Sequence, residues 1–246
     1  MNITLLGYGN MGKEIERIAH AKGAHAVSIA LQNAGTKIDM GLIGAADVVI
    51  DFTSPEIVLQ NIRTIASAGK NMVVGTTGWH EHVNEVKGLV EKSGTGLVYG
   101  QNFSIGANIF FQLVANATKL TSAFGAYDVC GLEIHHAGKK DSPSGTALRT
   151  AKEILENSTT KKVLQTEKLD RQIKPEELHF ASVRGGKNPG FHEVVFDSAA
   201  DAITISHAAH GREGFAEGAI LAAEFINGKK GVYTFDDVVR TKKPGH

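Results

Sequence analysis

Gly7-Tyr8-Gly9-Asn10-Met11-Gly12 lies between an apolar run, Ile3 to Leu6, and a stretch with helical periodicity, Asn10 to Lys22. That placement restricts the chain more than any other feature. A G-x-G-x-x-G turn joining a buried strand to a helix is the start of a βα unit. Its first glycine permits the tight turn, its second lets a pyrophosphate approach the backbone, and its third lets helix and strand pack closely. The N–H groups that open the helix then face the phosphates. Gly7, Tyr8, Gly9, Asn10, Met11 and Gly12 are therefore the first candidate cofactor contacts. Standing alone, the same six residues would be a plain strand–helix turn.

The first half repeats the unit. Strands are expected at Ile3–Leu6, His25–Leu31, Asp47–Phe52, Met72–Val74 and Gly96–Tyr99. Helices are expected at 10–22, from Ser54-Pro55-Glu56 to Gly69, and at 80–92. Ser54 supplies a capping hydroxyl, Pro55 suits the first helical position, and Glu56 faces the positive end of the helix dipole. Short apolar strands alternating with helices predict a parallel sheet of Rossmann type. In such a sheet ligands sit beyond the carboxyl ends of the strands. Gly75-Thr76-Thr77 and Gly100-Gln101-Asn102-Phe103 follow two of those ends, and both loops join the candidate cofactor site.

After about residue 103 the pattern changes. Helices are expected over 107–120 and 144–156, and strands at Val129–His136, His179–Arg184, His192–Phe196 and Ala202–His207. Residues 157–178 are polar and read as a loop, and Phe215 to Ile226 reads as a last long helix. The fold class is thus α/β, with an inserted α+β domain. Residues 1–103 and 213–246 form the dinucleotide-binding domain, and 104–212 form a substrate and oligomerisation domain.

The stretch Glu133 to Ala147, EIHHAGKKDSPSGTA, carries the chemistry. A histidine is a general acid near neutral pH, a lysine holds an anion, and N–H groups at a helix start suit a carboxylate. Adjacent strand residues point to opposite faces. His135 and His136 share a ligand only if the chain leaves the strand there, as Gly138 permits. Each part has a plain structural reading, as a packed histidine pair, a solvated Lys139-Lys140-Asp141 loop or a Ser144 cap. Their joint occurrence is what points to a site. The segment resembles the E-x-H-H-x-x-K-x-D-x-P-S-G-T-A signature of dihydrodipicolinate reductases. The resemblance extends to Gly7–Gly12, Val49–Thr53, Gly75–Gly78, Asn102–Gly106 and the His207–Gly218 stretch with Arg212. It implies reduction of the cyclic product of dihydrodipicolinate synthase to tetrahydrodipicolinate with NADH or NADPH. It also implies a homotetramer built through the second domain's sheet. By resemblance, His135 donates or accepts the proton and Lys139 assists. His136, Ser144, Gly145, Thr146 and Arg212 bind the small dicarboxylate substrate.

Gln32 departs from the pattern. It ends the second strand, where many dinucleotide binders place an acid for the ribose hydroxyls. A neutral residue there predicts use of both cofactors. Other readings compete: an amino-acid dehydrogenase fits the glycine turn but not the His135–Thr146 segment, and a non-catalytic nucleotide sensor needs none of that segment. A metal hydrolase built on His135, His136, His207 and His210 lacks clustered carboxylates, so no metal is expected. The 26 basic and 26 acidic residues balance, which disfavours a nucleic-acid or membrane-surface binder. Cys130 is the one cysteine and lies in an apolar run, which predicts a core thiol in a reducing compartment. The opening apolar strand and the lack of long apolar runs predict a cytoplasmic protein without a leader.

Overall fold

The computed structural model describes residues 1–31 and 35–241, and separates them into two compact units: 1–105 with 212–241, and 106–211. Gln32 lies outside the described residues.

The first unit is a three-layer α/β structure. Its strands are β1 (Asn2–Leu6), β2 (Ala26–Leu31), β3 (Val48–Asp51), β4 (Asn71–Val74), β5 (Gly96–Tyr99) and β11 (Gly231–Thr234), all parallel, in the order β11-β5-β4-β3-β1-β2. Helices α1 (Asn10–Lys22), α7 (Glu213–Ile226) and α8 (Phe235–Thr241) share one core with Ile3, Leu5, Ile50, Val73 and Val98. Helices α3 (Pro55–Ser67) and α4 (Val83–Ser93), with the short α2 (Met40–Ala45), share the other with Leu6, Val49, Val74 and Leu97. Alternate residues of each strand thus enter opposite cores, which is why the strands read as continuous apolar runs. Trp79 and a 3₁₀ turn at His80–His82 precede α4. Three short elements escaped the sequence reading: α2, β11 and α8. Each is too brief to show a period of its own. At the start of α3, Ser54 holds the capping position, but its side chain makes no capping hydrogen bond. Its carbonyl accepts from Ile57 and Val58 instead.

The second unit holds a mixed sheet, ordered β10-β9-β6-β8-β7. Its strands are β6 (Asp128–His135), β7 (Val163–Gln165), β8 (Glu177–Arg184), β9 (Phe191–Asp197) and β10 (Ala202–Ala208). β8 runs parallel to β6, while β9 is antiparallel to both β6 and β10. Helices α5 (Ile105–Phe124) and α6 (Gly145–Asn157) cover one face, where Val129, Leu178, Phe180, Val194 and Phe196 pack against Phe110, Phe111, Ala151 and Ile154. β7 is a strand inside the stretch read as a polar loop. Beside it Lys161 is buried, its ammonium 2.5 Å from Asp128 and 2.9 Å from the Glu177 carbonyl. The other face of the sheet stays partly or fully exposed at Cys130, Leu132, Ile134, Val183, Phe191 and Val195. Cys130 is therefore not the core thiol the sequence suggested. In a strand, Val129 and Gly131 point inward and Cys130 between them points out. The apolar run is split between two faces, and one of them is uncovered.

Candidate active site

In the first unit the candidate loops all follow the carboxyl ends of parallel strands: Gly7–Gly12 after β1, Phe52-Thr53 after β3, Gly75–Thr77 after β4 and Gly100–Phe103 after β5. The glycines of the turn are required for different reasons. Gly7 has φ +90°, and a Cβ there would stand 2.4 Å from the Phe52 carbonyl oxygen. A Cβ on Gly12 would stand 2.3 Å from the Gly7 carbonyl oxygen. These two residues close the turn against the fold. Gly9, the N-cap of α1, is exposed and has no atom within 4 Å of where its Cβ would be. Among the described residues nothing needs Gly9 to be small, whereas a pyrophosphate lying on the first turn of α1 does. This is the fit expected for a dinucleotide. Tyr8 extends along α1, its hydroxyl donating to Glu16, and Lys13 sits over its ring. Asn10 is exposed and Met11 is half-buried against the core.

Asp51, at the end of β3, ties these loops together. Its carboxylate accepts from the Thr53 backbone and hydroxyl at 2.9 and 2.7 Å, from Asn61 at 2.7 Å and from Thr76 at 2.8 Å. Burial pushes its pKa up, against the pull of those donors. The Thr76 hydroxyl is thereby committed within the fold, leaving Gly75, the Thr76 backbone and exposed Thr77 to meet a ligand. Phe103 is likewise limited in what it can offer. Its ring is buried between Phe52 and Phe235, with centroids 5.8 and 4.7 Å away, so only its backbone is available. Gln101 is exposed, and Asn102 accepts from the Ser104 N–H at 2.8 Å.

In the second unit the sheet register builds the site. Glu133 pairs with Ser182 on β8 and with His192 on β9, while His192 pairs with His207 on β10. Two residues along β6, on the same face, His135 pairs with Arg184. Glu133 is fully buried. Its Oε1 accepts from the Ser144 N–H at 2.9 Å, the Ser182 hydroxyl at 2.7 Å and the Arg184 guanidinium at 2.7 Å. Its Oε2 lies 3.2 Å from His135 Nδ1 and 3.5 Å from His192 Nε2. Burial opposes the charge, but nearby His192 and the donors from Ser144, Arg184 and Ser182 win and hold the carboxyl far below the usual range. His135 is lowered to about 4, chiefly by burial; Glu133 opposes this, while its neighbours His192, Lys139 and Arg184 add to it.

The chain leaves the strand immediately after His135. The His136 N–H donates to the Asn188 carbonyl at 2.8 Å, and its side chain is exposed. Lys139 is half-buried and pairs with Asp141 at 2.8 Å. The Ser142–Pro143 peptide is cis. Ser144 then caps α6, its hydroxyl accepting from Ala147 N–H at 3.1 Å and lying 3.2 Å from His192 Nε2. Ser144 is buried, with its hydroxyl and N–H both bonded inside the protein as the cap of α6. Gly145 and Thr146 open the first turn of α6 and present its N–H end. His135, His136, Lys139, Gly145 and Thr146 thus belong to one unit, whereas Arg212 is the N-cap of α7 in the other. Its positive field adds to the effect of Arg17, which holds the Glu14 carboxyl down.

Sequence reasoning missed the roles of Glu133, Ser182, Arg184 and His192. A signal for Glu133 was present in its i, i+2 spacing from His135. The others are far away in the chain and meet it only through strand register. Glu133, His135 and His192 also form a group of potential metal ligands, with atoms within 4.8 Å of one another. His207, suggested with them as a ligand, is not in that group; its ring lies 6.4 Å from that of His192.

Two family models together match nearly the whole chain: "Dihydrodipicolinate reductase, N-terminus" over residues 1–103 and "Dihydrodipicolinate reductase, C-terminus" over 106–239. The final part of the second match, from Arg212 on, folds with the first unit. A 4-hydroxy-tetrahydrodipicolinate reductase of Christiangramia forsetii is 37% identical over 97% of this chain and 98% of its own. One of Methanococcoides burtonii is 36% identical over 94% of this chain and 86% of its own. Among solved structures, a dipicolinate-bound dihydrodipicolinate reductase from Paenisporosarcina sp. TG-14 aligns with a TM-score of 0.78 at 20% identity, over 96% of this chain and 98% of that one.

Proposed function

The chain belongs to the dihydrodipicolinate reductase family, and from that we infer that it reduces the dihydrodipicolinate ring, supplied as such or as 4-hydroxy-tetrahydrodipicolinate that loses water, to tetrahydrodipicolinate with a pyridine nucleotide. The observation that carries this reading is the end-to-end match to 4-hydroxy-tetrahydrodipicolinate reductases. The geometry fits it: one unit offers an open glycine turn at a helix N-terminus, and the other offers a histidine, a lysine and the N–H end of a second helix. The bound nicotinamide supplies the hydride. The protein's own work is to bind two carboxylates, hold the ring and deliver a proton to the carbon beside the one reduced. Lys139 and the N–H groups of Gly145 and Thr146 match the carboxylates, and His135 carries the proton. A coupled assay with dihydrodipicolinate synthase, pyruvate and aspartate semialdehyde tests this. Nucleotide oxidation should require all three, and activity on a simple amino acid with none here would sink the reading.

His135 is neutral in the free protein at pH 7, because its pKa sits near 4. A dianionic ligand beside it favours the imidazolium. Binding of dipicolinate at pH 6 to 7 should therefore be accompanied by proton uptake, read as a dependence of the calorimetric binding enthalpy on buffer ionisation. The uptake should vanish in His135→Gln. Binding with no proton uptake would show that His135 does not charge when the site fills.

The finer assignments also belong to this proposal. Both NADH and NADPH serve, with kcat/KM values within about tenfold, roughly 1.4 kcal/mol. The support is the neutral amide that the sequence places at Gln32, a group able to bond a ribose hydroxyl without repelling a 2′-phosphate. Gln32→Glu should shift preference toward NADH, and the shift should weaken with salt. Saturation curves for each cofactor check it; unchanged selectivity would place the 2′ reader elsewhere. The protein assembles as a homotetramer through the exposed sheet face around Leu132, Ile134 and Val183, an apolar surface of the kind that mates with another copy. Sedimentation equilibrium giving a monomer would remove that assignment. The workplace of the enzyme is the cytoplasm, and no described helix is long and apolar enough to cross a membrane. Recovery in a membrane or secreted fraction would count against it.

A further inference from the structure

We propose that Glu133 is the positioning residue for His135: its inner oxygen holds the imidazole as the Nδ1–H tautomer and turns Nε2 toward the substrate. This rests on the reading of His135 as the proton carrier. The two residues share one face of β6 by their i, i+2 spacing, and Glu133 Oε2 stands 3.2 Å from His135 Nδ1. Among the described residues neither atom has a hydrogen-bond partner, and both are buried. A carboxylate in that place can only accept, so the facing nitrogen must carry the hydrogen. The pair is at ion-pair distance without full alignment, as catalytic hydrogen bonds often are before substrate arrives.

Glu133 is itself immobilised. Its other oxygen takes three donors, from the helix cap Ser144, from Ser182 and from Arg184. The carboxylate therefore links the N-terminus of α6, where the substrate carboxylate is expected, to the histidine that protonates the ring. The opposite edge of the imidazole faces Gly190, where a Cβ would stand only 3.0 Å from Nε2. The absence of a side chain leaves that nitrogen uncovered. The charged and titratable groups around His135 are Glu133 on its own strand, Arg184 on β8, His192 on β9 and Lys139 in the following loop. Glu133 alone among them favours the imidazolium, so it offsets Lys139 and Arg184 at the moment His135 must hold its proton.

The test begins with the unmodified enzyme. Nitrogen-15 NMR at neutral pH, with the His135 signals identified by their loss in His135→Gln, should show Nδ1 as the protonated, pyrrole-type nitrogen. A free histidine side chain in water favours the Nε2–H tautomer, so the result is diagnostic, and it does not depend on a variant that folds. Glu133→Gln should then lower kcat by about tenfold or more, following the logic of tautomer-fixing carboxylates. The KM for the nucleotide should stay unchanged. The descending alkaline limb of the kcat profile should move to lower pH, because the imidazolium has lost its one favourable neighbour. A residue of purely structural importance would not move that limb.

A protonated Nε2 in the unmodified enzyme would overturn the proposal. So would a Glu133→Gln enzyme with an unmoved limb while His135→Gln is inactive. Stoichiometric metal in the purified protein, with activity lost to a chelator, would overturn it too, by making Glu133, His135 and His192 ligands. Full turnover in His135→Gln would instead overturn the underlying reading of His135, and the NMR result would still report separately on the Glu133 contact.

Discussion

His135→Gln should lower kcat by about two to four orders of magnitude, the usual worth of a general acid in place. Glutamine keeps much of the volume and can occupy the end of β6, but it has no proton to give near neutral pH. The fold should tolerate the change, because the sheet register around position 135 depends on backbone bonds and not on the ring. Binding of the nucleotide should be preserved, since the glycine turn belongs to the other unit. Lys139→Ala should lower kcat over a similar range and also weaken dicarboxylate binding. The ammonium is held by exposed Asp141 at 2.8 Å, an exchangeable partner that a dianionic substrate can replace. Steady-state kinetics in the coupled assay, with calorimetric titration of dipicolinate, separate the two roles. Turnover at the unmodified level in either variant would mean that the proton comes from elsewhere.

Gly9→Glu should weaken nucleotide binding by about a hundredfold or more, near 2.7 kcal/mol, while leaving the fold intact. The reason is the contrast among the three glycines of the turn. Gly9 has φ −83°, open to any residue, and no neighbour within 4 Å of a Cβ. A carboxylate there would occupy the start of α1, where the pyrophosphate belongs, and repel it. Losing glycine for a poorer capping residue costs about 1 kcal/mol, so Tm should move by no more than about 4 °C. A side chain on Gly12 would instead collide with the Gly7 carbonyl at 2.3 Å, and that variant should lose stability as well as binding. Titration of NADH alongside thermal melts of both variants checks this. A Gly9→Glu protein that melts normally and binds NADH as before would show that the pyrophosphate does not lie on this turn.

Local pattern carried far in this chain. The first unit was legible because its central strands β1, β3, β4 and β5 are buried on both faces and each of its main helices has a full amphipathic period. The G-x-G-x-x-G turn has a local geometry that a strand and a helix dictate by themselves. His135, Lys139 and the Gly145-Thr146 helix start could likewise be picked out, since they lie within a dozen residues of one another and each has its own chemical use. The warning that His135 and His136 point apart was also available from strand geometry, and the chain does leave β6 between them.

What the sequence left open depends on contacts between distant segments. Cys130 lies in an apolar run, yet it faces out because covering one face of a sheet with α5 and α6 leaves the other bare. Phe103 and Thr76 were read as ligand contacts from loop position. The ring of one is caught in a core completed by α8, and the hydroxyl of the other by Asp51. Ser144 was read as a substrate contact, but its hydrogen-bonding groups meet Glu133, His192 and Ala147. The row Ser182–Glu133–His192–His207, buried at its centre, exists only because β8, β6, β9 and β10 align in one register. Sequence by itself determined which residues had chemistry to offer, because helix and strand periods act within a few residues. Tertiary structure decided which of those groups remain available to a ligand, because a buried donor or acceptor must find a partner and, in this fold, that partner usually comes from another strand.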